Sequence, residues 1–305
     1  MNTLNIERKS LKRQLDNLKH ALSKRHVFQR AVSEKYVFLC GATAKNNEIS
    51  PRRKAIIAFG KENLPHINFI IAEKFFHNMT AEGESKNILD AETMISNFSD
   101  TIVIVLESPG ALTELGAFAH HDFRSKLVII NDIQFKGEKS FINEGPIKAI
   151  EEVGNRNNVL YYKMGKDAEN ELDAIGEVYN DLYDILKQDE LKRVYALTLD
   201  KINPGIHFDL TSLMFVKDLL LCVGPVTYKE LVEISKYLFG VQSFDKLKSH
   251  LSLLTALDLA KRDDNNHYTS VKLDFFFDYR FDIYSLLAAF RNAHQKYNRE
   301  RMYGT

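Results

Sequence analysis

The stretch 101–121, TIVIVLESPGALTELGAFAHH, constrains the fold more than any other part of the chain. Its run Ile102-Val103-Ile104-Val105-Leu106 is apolar, largely β-branched, and stops at Glu107. A run of that kind reads as a strand buried on both faces. A tight Ser108-Pro109-Gly110 turn follows, and a helical pattern begins over 112–121 with Glu114 in its first turn. A strand that turns through Pro-Gly into a helix is half of a βαβ unit, and the turn lies at the carboxyl edge of the sheet. Open α/β folds hold their ligands at that edge. Two carboxylates, Glu107 and Glu114, are therefore expected where a nucleotide or sugar would bind.

The same alternation extends over half the chain. Strands are expected at 36–40, 67–71, 127–130 and 159–162, and helices after Pro51 and over 87–97, 140–153 and 168–188. This is the pattern of a parallel, doubly wound, Rossmann-like α/β sheet covered by helices on both faces. It ends near residue 190. Beyond it the spacing predicts helices over 209–221, from Thr227 (with Glu230 at capping-box distance) and over 243–257. A β-hairpin with the tip Asp263-Asp264-Asn265-Asn266 follows, and a last helix spans 283–301. Helix, helix, helix, hairpin is the order of a winged helix. With one helix predicted over 5–33, the chain divides into a basic N-terminal helix (1–34), an α/β domain (35–190) and a winged-helix-like domain (191–305).

Charge adds one local feature. The formal net charge is zero, yet residues 1–35 carry nine Lys or Arg against three acids, a surplus of +6. The plain reading is a solvated helix face; docking onto an acidic surface or a nucleic-acid backbone is the other. The two cysteines, Cys40 and Cys222, lie in apolar runs and supply neither a disulfide framework nor a zinc cluster. They read as buried thiols in a reducing cytosol. No run approaches the roughly 18 apolar residues of a membrane span, and the N-terminus lacks an apolar leader. A cytoplasmic protein without membrane contact is expected.

Cleaving a ribosyl–base bond develops positive charge on the sugar. A carboxylate beside the anomeric carbon stabilises that charge or adds covalently, and a second acid helps the base leave. Glu114 and Glu107 suit these roles. The competing readings are an acid complementing the helix dipole for Glu114 and a solvated strand end for Glu107. Candidate substrate-binding residues are Gly41, Ala42 and Thr43 at the end of the first strand, Arg52 and Arg53 at the next helix start, and Ser108 and Gly110 in the central turn. The glycine turn offers N–H groups and the arginines offer charge to a phosphate, though both arginines equally suit a solvated surface. Asp100 starts the central strand, some 20 Å from that edge, and reads as structural. His120 and His121 are adjacent, point to different faces and form no metal pair. Tyr161 and Tyr162 either line the crevice or pack in the core.

Val37-Phe38-Leu39-Cys40-Gly41, Ser99-Asp100-Thr101 through Leu106, and Ser108-Pro109-Gly110-Ala111-Leu112-Thr113-Glu114-Leu115-Gly116 together resemble the nucleoside deoxyribosyltransferase-like superfamily. In that superfamily the catalytic carboxylate stands in a Glu-Leu-Gly sequence after the central strand, the position of Glu114. The segment also partly resembles the Pro-Gly-Gly…Thr…Glu loop of nucleotide phosphoribohydrolases, without their second glycine. The full arrangement is similar to the toxin effectors of bacterial retrons. That resemblance implies a phage-defence toxin held inactive by a reverse transcriptase and its multicopy single-stranded DNA, in a higher-order assembly with both. It implies glycosidic cleavage of a nucleotide, with NAD as substrate and no cofactor. The loop before Glu114 lacks the additional acids of the transferases, which favours hydrolysis over base exchange.

A second reading is a DNA-binding regulator with a nucleotide-sensing α/β domain. Lys246, Lys248 and His250 fall on its recognition helix, and Lys261 and Arg262 on its wing. Asp245 and Asp258 dilute that charge, so these four cations are better read as docking a protein or an RNA–DNA hybrid.

Overall fold

The computed structural model describes residues 4–30, 34–44, 48–81, 87–119, 122–153, 156–165, 173–187 and 194–303. In chain order the elements are α1 (Lys9–Ser23), β1 (Val27–Phe28), β2 (Lys35–Cys40), α2 (Pro51–Asn63), β3 (Ile67–Ile70), α3 (Ala72–Ala81), α4 (Ile88–Phe98), β4 (Thr101–Val105) and α5 (Pro109–Phe118). There follow β5 (Leu127–Asp132), α6 (Lys148–Val153), β6 (Val159–Tyr162) and α7 (Tyr179–Leu186). The last part holds α8 (Leu210–Val223), β7 (Val226–Thr227), α9 (Tyr228–Phe239), α10 (Lys246–Ala256), β8 (Ala260–Arg262), β9 (His267–Ser270), β10 (Asp278–Tyr279), α11 (Ile283–Tyr297) and α12 (Glu300–Tyr303). Two compact units result. One comprises Ser33–Phe76 and Asn87–Glu190; the other comprises Met1–Val32, His77–Lys86 and Leu191–Thr305.

The first unit is α/β. Its five strands are all parallel, in the order β3-β2-β4-β5-β6. Every expected strand forms, because each is an apolar run that must be covered on both sides. Alternate side chains serve opposite faces. Val37, Leu39, Val103 and Val105 meet Ile56 of α2 and Leu182 and Leu186 of α7 on one face. On the other, Tyr36 packs edge-on against Phe98 of α4 (5.0 Å between ring centres) and Phe38 against Phe118 of α5 (5.9 Å). These side chains are buried, each worth roughly 1.5–3 kcal/mol relative to exposure.

Topology fixes where a ligand can go. From β2 the chain moves outward to β3, then returns across β2 to build β4, β5 and β6. The order reverses between β2 and β4, so a crevice opens outside their carboxyl ends. Gly41 follows β2 and Glu107 follows β4, placing both loops at this switch point.

The second unit carries a three-stranded antiparallel sheet, ordered β7-β9-β8, with α8, α9 and α10. Thr227 and Glu230 form the expected capping box. The N-terminal helix is shorter than the predicted 5–33. It ends at Ser23, Arg25 takes a left-handed conformation (φ 58°), and Val27 pairs with Tyr279 across β1 and β10. Local helical spacing thus yields to a long-range strand pairing. No helix among the described residues is long and apolar enough to cross a membrane.

Candidate active site

The sequence Ser108-Pro109 starts α5 earlier than the periodicity predicts. Ser108 is the N-cap, its hydroxyl accepting from Ala111 N at 3.1 Å, and Pro109 holds the first helical position. Glu114 therefore sits in the second turn, and the first turn contains no acid. This removes the helix-dipole account of Glu114, since that effect fades within the first turn. The Glu114 side chain is half-buried, and its Oε2 is buried without a hydrogen-bond partner. Burial, then the charge of Glu92, push its carboxyl up to about 7; Arg53 opposes the shift and Glu73 adds to it.

Glu92 and Glu73 were not among the residues expected at the site. Glu92 lies on the buried face of α4 with Ala91, Ile95 and Ser96, and its carboxyl is raised by burial and by Glu73. A lone acid on an apolar helix face was its sequence signal. Glu73 stands in the first turn of α3, just past the carboxyl end of β3. It accepts from Arg53 Nη1 (2.6 Å) and Nη2 (3.0 Å) and from Thr43 Oγ1 (3.1 Å). Burial works to raise Glu73, but these bonds and the guanidinium charge carry it below the usual carboxylate range.

The candidate phosphate loop has other partners than those expected of it. Ala42 N donates to Glu107 Oε1 at 3.0 Å, and Ser50 Oγ donates to the same oxygen at 2.6 Å. Thr43 is taken by Glu73, as above. A Cβ at Gly41 would stand 2.8 Å from Glu107 Oε1 and 3.0 Å from Arg53 Cδ. Two internal carboxylates thus fill the place read as a phosphate cradle, and Gly41 is required by their approach.

Arg52 and Arg53 also turn inward onto protein partners. Both side chains are buried. Arg52 Nη1 donates to Glu107 Oε2 at 3.0 Å, Nη2 to Asp173 Oδ2 at 2.7 Å and to the Gly165 carbonyl at 2.9 Å. Arg53 clasps Glu73 and donates to the carbonyls of Leu39 (2.9 Å) and Ala42 (3.3 Å). Neither is a solvated cation, and both already serve protein anions. Glu107 has a fully buried side chain and three donors, so it is not a solvated strand end.

The remaining residues fall plainly. Gly110 is exposed, one turn before Glu114 on the same face of α5, and a Cβ there would meet only Ser108 Oγ at 3.7 Å. Asp100 accepts from Tyr36 N at 2.9 Å and is structural. Tyr162 packs in the core with its hydroxyl on Asp173, while Tyr161 is half-buried under Lys136. Burial raises the thiols of Cys40 and Cys222. His120 and His121 lie outside the described residues.

In the second unit, α10 buries Leu247, Ser249, His250, Leu251, Ser252, Leu253, Leu254 and Ala256, a poor surface for a DNA groove. Lys246 donates to the Ile206 carbonyl, and Lys248 lies 5.5 Å over the Tyr228 ring. Arg262 holds Asn266, whereas Lys261 is exposed.

Residues 48–262 match the family model described as STM3845 retron effector protein. Over 277 residues the chain is 38% identical to the Escherichia coli protein named "Retron Ec73 putative ribosyltransferase/DNA-binding protein", spanning 88% of this chain and 87% of that one. It is 27% identical over 221 residues to the Escherichia coli "Retron Ec86 putative ribosyltransferase/DNA-binding protein", spanning 70% of this chain and 68% of that one.

Proposed function

This chain belongs to the STM3845 retron effector family, and we propose that it is a toxin whose α/β unit, of the nucleoside deoxyribosyltransferase-like kind, cleaves the ribose–base bond of a nucleotide, with NAD as substrate. Glu114 carries the reading. Its half-buried carboxyl, raised to about 7 and with one oxygen unpartnered, stands at the sheet edge where α/β folds bind ligands. The names of the two relatives, which include ribosyl transfer, support the same class of chemistry.

In NAD the C1′–N bond breaks with its electron pair passing to the pyridinium nitrogen, so nicotinamide leaves neutral. Positive charge moves to the ribosyl ring, where an ionised Glu114 stabilises it or bonds to C1′. Water adds its oxygen to C1′ and gives its proton to a carboxylate; Glu92, the acid felt most strongly at Glu114, suits that role. The products are nicotinamide, ADP-ribose and a proton. Because Arg53 neutralises Glu73, the negative field of Glu92 and Glu114 favours a cationic base over a neutral one. The bare face at Gly110 leaves room for the substrate, and Glu107 acts as a positioning residue that ties the Ala42 loop to Arg52.

In this reading the second unit holds the enzyme inactive against the reverse transcriptase and multicopy single-stranded DNA. The order α8-β7-α9-α10-β8-β9 with sheet order β7-β9-β8 supports a winged helix as the element that docks the reverse transcriptase. The test is to incubate the purified chain with NAD and with several nucleosides, and to measure released base by chromatography. NAD is expected to yield nicotinamide, and Glu114→Gln none. No released base from the wild type, alone or stripped of its retron partners, rejects the reading.

A further inference from the structure

The surplus charge of the N-terminal segment is not spread evenly around α1. Its acids are already engaged: Glu7 pairs with Lys12, and Asp16 accepts from the Tyr237 hydroxyl. Between α1 and α11 lies an open groove of about 1110 Å³. Arg8, Lys9 and Arg13 line it from the start of α1 and Lys296 from α11, and among the described residues no acid lines it. Lys9 and Arg13 make no ion pair among the described residues, and both are exposed. The floor is made by small side chains such as Ala289, and Asn292 adds a polar group.

This arrangement runs against the local interest of the helix. The first turn of α1 contains no acid, and its N-cap, Arg8, makes no side-chain capping bond. Cations near a helix N-terminus oppose the macrodipole. An anion in the groove would satisfy the cations and the helix end together. The groove is open to solvent and far larger than one phosphate, which suits a polymer better than a small anion. Lys9 and Arg13 lie one turn apart on the same face of α1, about 6 Å along its axis, so successive charges of an extended chain can be met in turn. Arg8 also lies over the Tyr297 ring, 3.2 Å from its centre, a guanidinium–aromatic pair beside which a base can stack.

We propose that the α1–α11 groove is a docking surface for the phosphodiester backbone of a single-stranded nucleic acid. The proposal rests on the partner reading above for its choice of nucleic acid over acidic protein, and is independent of the chemistry at Glu114.

The test measures anisotropy of fluorescein-labelled oligothymidylate with the full chain over a range of salt. Three proteins are compared: wild type, the triple variant Lys9→Gln/Arg13→Gln/Lys296→Gln, and the wing variant Lys261→Gln/Arg262→Gln. Wild-type binding is expected to weaken with salt. The triple variant should bind at least about tenfold more weakly with a shallower salt dependence, and the wing variant within about twofold of wild type. In the wild type, bound oligonucleotide should also protect Lys9 and Lys296 from acetylation, a result that needs no variant to fold. The proposal is overturned by no binding, by equal binding of the triple variant, by a loss confined to the wing variant, by absent protection, or by tighter binding of polyglutamate than of DNA. Retained base release by the triple variant separates failure here from failure of the glycosidase reading.

Discussion

Arg52 and Glu107 form an ion pair sealed from solvent, with Nη1 3.0 Å from Oε2 and both side chains buried. The pair joins the start of α2 to the end of β4, and through Asp173 it also reaches the segment after β6. Removing one partner leaves the other charge buried and alone. Glu107→Gln is expected to lower stability by about 3 kcal/mol, and Arg52→Ala by at least as much. Denaturant titration of each variant measures this; a loss below about 1 kcal/mol would show that the pair does not hold the edge together.

Glu114 behaves in the opposite sense. The fold keeps its proton up to about 7, against 4.5 for an ordinary glutamate. Between those values the folded chain binds more protons than the unfolded one. Its contribution to stability is complete below 4.5 and is lost as pH rises through 7. Glutamine mimics the protonated group at every pH. Glu114→Gln should therefore stabilise the chain near pH 8 by about 2 kcal/mol and change little near pH 4, while release of base falls by at least about 10³-fold. Melting curves at the two pH values, set beside the activity assay, check both halves.

Glu92 raises Glu114 by its charge, second only to burial. Glu92→Gln removes that charge at nearly constant volume. If turnover needs ionised Glu114, the activity of wild type rises with pH through about 7. In Glu92→Gln the midpoint should move to lower pH. An unmoved midpoint would show that the charge of Glu92 does not set the titration of Glu114.

The contrast between these residues explains what could be read from the chain. Each strand of the sheet was visible because 102–106 and its counterparts must be covered on both faces whatever surrounds them. Glu114 was visible because it follows such a strand at a predictable edge. The partners of the Gly41 loop were not. A row of N–H groups looks the same in sequence whether a bound phosphate or the protein's own Glu107 fills it. Arg53 and Glu73 are 20 positions apart and meet only because β2 and β3 lie side by side. The end of α1 is illegible in the sequence for the same reason, since the competing element, β10, lies some 250 residues downstream.

His250 supplies the opposite pH dependence in the second unit. Its Nδ1 donates to the Lys246 carbonyl at 2.8 Å, which leaves Nε2 to accept from Ser212 Oγ at 3.0 Å. Burial drives the imidazole down to about 4, from 6.5, with the charge on Lys246 adding to the shift while the bond to the Lys246 carbonyl and Asp209 oppose it. The unfolded chain therefore binds the extra proton between those values. Stability from this group is complete above 6.5 and is lost as pH falls toward 4, by about 3 kcal/mol in all. Over pH 5 to 7 the stability of α8 and α10 should rise while that of α5 falls. Hydrogen exchange resolved by residue separates them: amides of α10 should slow with pH, after correction for the intrinsic rate, and those of α5 should quicken. Substituting His250→Gln, which cannot charge, should flatten the first trend and leave the second. If α10 keeps its slope in that variant, the acid sensitivity of this unit lies in another group.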